Sequence, residues 1–132
     1  MNPLEFKRLK GLRVLLVDDS IFNQRYLSKI LLQWQVSTDV AQNGKIALEK
    51  LSKSAYDVVL MDPVLPELNG YETTRVIRSQ QRTYYRNLPI FAFNEIPDPE
   101  MSTDCAMTGY ISSEPLDKED LYEKISPYLK LD

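Results

Sequence analysis

Two runs of this chain, residues 12–17 (Leu-Arg-Val-Leu-Leu-Val) and 58–61 (Val-Val-Leu-Met), are apolar almost without interruption. A strand with one wet face alternates apolar and polar side chains, so a strand without alternation is buried on both faces. A parallel sheet covered by crossover helices meets that condition. Each run ends abruptly in acid: Asp18 and Asp19 follow the first, Asp62 the second. The eight residues after Asp62 hold Pro63, Pro66 and the pair Asn69-Gly70, with no helical period, so the chain leaves the sheet there in a fixed loop. In open α/β sheets the carboxyl ends of the strands are where ligands bind.

The remaining pattern repeats the same unit. Ser20 is a good N-cap, and Ile21, Leu27, Ile30, Leu31 and Trp34 fall near one face of a helix over residues 21–33. A second strand is expected over 36–41, a turn at Asn43-Gly44, and a helix over 45–52 that buries Ile46, Ala47 and Leu51. After the Asp62 loop come a helix over 71–79, a polar exposed connection over 80–87, and a fourth strand over 89–93 bounded by Asn94. Pro97 and Pro99 delay the next helix to 100–107; a fifth strand occupies 109–112. The closing helix runs over 116–129 with Leu121, Ile125 and Leu129 four apart, and Pro127 bends or frays it. Residues 1–11 read as a linker or leading turn, and 12–132 as one α/β domain, a doubly wound parallel sheet. If the first and third strands are neighbours, Asp18, Asp19 and Asp62 converge at one sheet edge.

Composition narrows what that edge does. With a net charge of −3 and no basic block, the chain is a poor match for nucleic acid or an anionic membrane. The single Cys105 forms no internal disulfide, as suits a reducing cytoplasm, and no apolar stretch is long enough for a membrane span or a signal peptide. There is no histidine, which excludes His-based triads, His metal sites and histidyl phosphotransfer within the chain. Cys105, Trp34, Tyr84 and Tyr85 read as packing or surface residues. Carboxylates about 5 Å apart repel by roughly 3 kcal/mol per pair at an effective dielectric near 20. Such a site holds a proton or a cation, and Mg²⁺ with oxygen ligands, including a loop carbonyl such as that of Val64, is the economical answer. With a metal bound, one carboxylate can act as a nucleophile toward phosphorus.

Asp18-Asp19, Asp62, the Leu-Pro-Glu-Leu-Asn-Gly sequence of residues 65–70 and the β/α rhythm over 12–129 together resemble the receiver domain of two-component response regulators. The resemblance implies a flavodoxin-like (CheY-like) five-stranded parallel sheet of order 2-1-3-4-5. It implies that Asp62 accepts a phosphoryl group from a sensor histidine kinase or a histidine phosphotransfer protein. Asp19 would bind Mg²⁺ directly, Asp18 directly or through water, with Asp62 and the Val64 carbonyl completing the protein ligands. The module would signal rather than act as an enzyme, in the cytoplasm, alone or as the receiver portion of a hybrid sensor kinase.

Two positions depart from the family pattern. Asn94 stands where the family has Thr or Ser, and Glu114, or Ser113 by another count, stands where it has Lys before a proline, here Pro115. A missing charge-assisted bond costs on the order of 1.5–3 kcal/mol, so phosphorylation is expected to be weakened. Tyr110 falls at the family's switch aromatic, and the Glu114-Pro115 bond corresponds to one that is cis in the family. The alternative is a pseudo-receiver that binds partners without phosphorylation, through the face made by the fourth strand, the helix after it, the fifth strand and the last helix. The same face is open to homodimer formation. A Mg²⁺-dependent phosphatase would need a general acid two residues after Asp62, where this chain has Val64.

Overall fold

The computed structural model describes residues 9–112 and 117–128, except for the Lys118 side chain. Strands β1 (Arg13–Val17), β2 (Ser37–Ala41), β3 (Val58–Met61), β4 (Ile90–Phe93) and β5 (Gly109–Ile111) form one parallel sheet of order β2-β1-β3-β4-β5. The connecting helices are α1 (Ile21–Gln33), α2 (Gly44–Lys53), α3 (Gly70–Arg78), α4 (Thr83–Asn87) and α5 (Pro99–Asp104). After β5 come α6 (Lys118–Ile125) and a 3-10 turn over Ser126–Tyr128, the turn coinciding with Pro127. This is the flavodoxin-like order expected from the sequence.

The missing polar alternation has its explanation in two cores. Val14, Leu16, Val58, Leu60, Phe91 and Phe93 meet Leu27 and Leu31 of α1 and Leu121 and Ile125 of α6 on one face. Leu15, Val17, Val59, Met61 and Ile90 meet Ala47 and Leu51 of α2 and Ile77 of α3 on the other. Each fully buried aliphatic side chain of this kind contributes roughly 1.5–3 kcal/mol, so both sheet faces must be apolar for the fold to stand. Leu9 is also buried in the first core, while residues 1–8 lie outside the described residues.

Four expectations are corrected. Ile21 is 63% exposed, because it lies six positions before Leu27 and so about 120° around the helix from it. The connection over 80–87 contains α4, which tertiary contacts hold: the Arg78 guanidinium donates to the carbonyls of Tyr85 (2.9 Å) and Leu88 (2.7 Å), and the Tyr84 hydroxyl donates to the Tyr56 carbonyl (2.8 Å). Helix α5 runs from Pro99 to Asp104, ahead of the expected 100–107, because Ala106 turns left-handed at φ 65 and Met107 N–H bonds back to the Ser102 carbonyl. The last helix runs from Lys118 to Ile125 rather than over 116–129, because the extended Asp117 caps it, accepting Glu119 N–H at 2.9 Å, and the turn with Pro127 ends it; Leu116 and Leu129 lie outside the described residues.

Candidate functional site

The register of β1 against β3 pairs Val17 with Met61, so the residues that follow, Asp18 and Asp62, emerge side by side. The ladder continues one step beyond the strands: Asp62 N–H donates to the Val17 carbonyl (2.9 Å) and Asp18 N–H to the Ala41 carbonyl (3.1 Å). Asp18 and Asp62 are buried and Asp19 is exposed at the rim. One carboxylate oxygen from each of the three lies within 4.8 Å of the others. The set is all oxygen, and a hard dication such as Mg²⁺ fits it, whereas softer metals favour nitrogen or sulfur.

Each buried acid is oriented by its own loop. Asp18 Oδ1 accepts from Ser20 N–H (2.8 Å) and Oδ2 from the Asn23 amide (3.3 Å), while its carbonyl accepts from the Gln24 amide (2.6 Å). Asp62 Oδ1 accepts from Val64 N–H (2.9 Å), and Oδ2 from the Asn94 amide (3.4 Å). Burial pushes the Asp62 carboxyl up to about 6; the Val64 and Asn94 donors oppose this, and the charges of Asp18 and Asp19 reinforce it. Asp18 is raised as well, chiefly by burial, against the lowering effect of Ser20 and Asn23. Burial thus disfavours the charge on both acids, and a bound cation would offset it.

The loop that carries Asp62 is fixed from below. Leu65 is buried in the second core while Val64 is 64% exposed. Gly70 opens α3 with its N–H on the Pro63 carbonyl (3.1 Å), and a Cβ there would overlap the Asp62 carbonyl oxygen. Asn69 and Glu72 close a capping box on the same helix.

The other expected site residues fall as follows. Asn94 reaches Asp62 from the end of β4, with its backbone left-handed at φ 77. Tyr110 lies half-buried on β5, where Lys124 of α6 donates to its carbonyl (2.6 Å) and lies 5.9 Å from its ring. Ser113, Glu114 and Pro115 lie outside the described residues. Sequence reasoning missed Asn23 and Gln24, the clamps of Asp18, because on α1 they read only as polar surface positions.

A parallel sheet of this order with three carboxylates at its carboxyl edge defines a receiver-type signalling module. Residues 14–126 match the response regulator receiver domain. The chain belongs to that family. It is 34% identical over 120 residues to the autoinducer 2 sensor kinase/phosphatase LuxQ of Vibrio vulnificus, a stretch covering 88% of this chain and 13% of that protein. Among solved structures it is similar to the receiver domain of sensor histidine kinase PA1611 from Pseudomonas aeruginosa, which has a magnesium ion coordinated in its active site cleft. That likeness has 29% identity and a TM-score of 0.79 and covers 90% of this chain and 98% of that one. It is similar too to the chemotaxis protein CheY4 of Vibrio cholerae, with 28% identity, a TM-score of 0.78 and coverage of 89% of this chain and 98% of the other.

Proposed function

We propose that Asp62 accepts a phosphoryl group from the phosphohistidine of a sensor histidine kinase or a histidine phosphotransfer protein. The observation that carries this reading is the meeting of Asp18, Asp19 and Asp62 oxygens within 4.8 Å at the end of the sheet. An Asp62 oxygen attacks phosphorus, the P–N bond breaks, and the imidazole nitrogen leaves with the electron pair and takes a proton from solvent. Asp18, Asp19, Asp62 and the Val64 carbonyl would hold Mg²⁺, which when bound would supply positive charge against the phosphoryl oxygens. Val64 N–H and Asn94 hold the Asp62 carboxylate in place, and Asn94, at the position of the family's hydroxyl residue, turns its amide toward a phosphoryl oxygen once the group is attached. Tyr110 is the aromatic that responds, and by sequence Glu114, or Ser113 by another count, takes the position of the family's lysine, so the phosphoryl group lacks one charge-assisted bond.

The donor docks on α1. Ile21, Phe22 and Tyr26 are 63%, 75% and 48% exposed just beyond Asp19, with Phe22 and Tyr26 stacked at 6.2 Å, an apolar surface beside the acids that the fold itself does not cover. No described helix is long and apolar enough to cross a membrane. The module works in the cytoplasm as a carrier of signal and not as an enzyme, with residues 12–132 forming the receiver and 1–11 a linker or leading turn whose Leu9 packs into the first core; the sensor-kinase relative favours a place in a hybrid kinase.

The test is intact mass after incubation with Mg²⁺ and phosphoramidate. One phosphoryl group should add to the wild-type chain and none to Asp62→Asn. A wild-type chain that gains none would leave binding without phosphorylation as the function.

A further inference from the structure

We propose that the hydroxyl of Tyr71 is a positioning residue for Asn94, setting the amide that faces Asp62. The inference rests on the reading of Asp62 as phosphoacceptor. Tyr71 follows Gly70, whose backbone is pressed against the Asp62 carbonyl, so its ring leaves α3 from a point fixed relative to the phosphoacceptor. Its hydroxyl oxygen accepts the N–H of Asp98 at 2.8 Å, which ties α3 to the segment leaving β4. Asp98 is the N-cap of α5, and its own side chain is already engaged with Met101 N–H (3.0 Å). As an N-cap its N–H has no partner within the helix, and the Tyr71 oxygen supplies one.

The short segment between Asn94 and Asp98 transmits that anchor. Pro97 fixes its own φ, and Pro99 holds Asp98 extended, observed at φ −64 and ψ 124. At the near end, Asn94 is left-handed at φ 77 and places its amide 3.4 Å from Asp62 Oδ2. The exposed Glu95 and Ile96 do not pack it in place, Ile96 being 80% exposed. The segment is held at Asn94, at the half-buried Pro97 and at Asp98, and Tyr71 provides the hold on Asp98. Loss of the hydroxyl lets the segment shift and carries the Asn94 amide off the line to Asp62.

Tyr71→Phe in the full chain isolates the hydroxyl, since the ring stays and Asp98 is exposed enough for water to take its N–H. In ¹⁵N-labelled protein the Asn94 side-chain amide resonances should move toward their positions in Asp62→Asn, with or without Mg²⁺. With Mg²⁺ and beryllofluoride as the phosphoryl mimic, Tyr71→Phe and Asn94→Ala should each bind the mimic about 2- to 10-fold more weakly, the range of one neutral hydrogen bond. The double variant should bind no more weakly than Asn94→Ala alone. Unmoved Asn94 resonances in Tyr71→Phe, or losses that multiply in the double variant, would overturn the proposal. A wild-type chain that does not bind beryllofluoride defeats the phosphoacceptor reading instead, and the Asn94 resonances still decide the role of Tyr71.

Discussion

The Asn94 amide nitrogen stands 3.4 Å from Asp62 Oδ2, and the residue that places it there has a left-handed backbone, φ 77. The two facts belong together. Asn tolerates this region because its short polar side chain bonds locally, whereas a β-branched residue there is strained. The corner after β4 thus suits a carboxamide where the family has a hydroxyl residue.

It follows that Asn94→Thr does not restore a family-like site. Threonine at this φ costs about 1–2 kcal/mol. Asn94→Gly accepts the backbone but loses the amide, and should keep near wild-type stability. Urea denaturation compares the three; a threonine variant as stable as wild type would refute the strain.

Asp62 makes stability depend on pH in a stated direction. Its carboxyl sits at about 6 in the fold against 3.8 for the unperturbed group, so between those values the folded chain binds more protons than the unfolded one. The contribution is full below pH 4 and is lost as pH rises through 6, a loss of up to about 3 kcal/mol. Asp62→Asn removes this loss, and without metal it should be more stable than wild type at pH 7 and no more stable at pH 4. Mg²⁺ opposes the effect by favouring the carboxylate, so it should stabilise wild type more at pH 7 than at pH 5. Denaturation curves from pH 4 to 8, with EDTA or Mg²⁺, test both signs.

The acids were legible because their place follows from burial, and the strand order because the motifs around them resemble a family that has it. A strand such as Val58–Met61 has no polar residue to offer water, and the first polar residue after it must stand at the sheet edge. What was not legible depends on contacts far apart in sequence or on backbone that uses an unexpected residue. Helix α1 ends with Gln35 at φ 60 and α5 with Ala106 at φ 65, in both cases without the glycine that normally signals such an end. The Tyr71 bond to Asp98 spans 27 positions, and neither residue type nor spacing announces it. Helix α4 was hidden for the same reason, its turn being held by a guanidinium on α3.

That guanidinium yields a third expectation. Besides Tyr85 and Leu88, Arg78 donates through Nε to the Ala106 carbonyl (2.9 Å), so a single fork ties α3 to α4 and to the turn after α5. Burial lowers its pKa, a sign of how far the group is withdrawn from water. Lysine carries a point charge and cannot span these carbonyls. Arg78→Lys should lose about 1–3 kcal/mol, the cost of leaving the carbonyls of buried Leu88 and half-buried Tyr85 without donors. Hydrogen exchange should then quicken in α4 before the β1 and β3 amides respond; uniform exchange across the fold would count against a local clamp.

Gly70 separates the site from the fold. A Cβ at this position would lie 2.7 Å from Pro63 Cα and overlap the Asp62 carbonyl, and both obstacles are backbone that cannot rotate away. Gly70→Ala should therefore cost about 1–3 kcal/mol through overpacking and push the Asp62 loop outward, weakening Mg²⁺ binding as well. Gly11 serves as the control. Its φ of 84 disfavours alanine, yet nothing lies within 4 Å of a Cβ there, and it sits before β1 at the opposite end of the sheet from the acids. Gly11→Ala should lower stability by about 1 kcal/mol through strain alone while leaving Mg²⁺ affinity at the wild-type value. Calorimetric Mg²⁺ titration of the two variants at matched fractions folded distinguishes these effects: equal affinities in both would mean that Gly70 packs the helix without placing the phosphoacceptor.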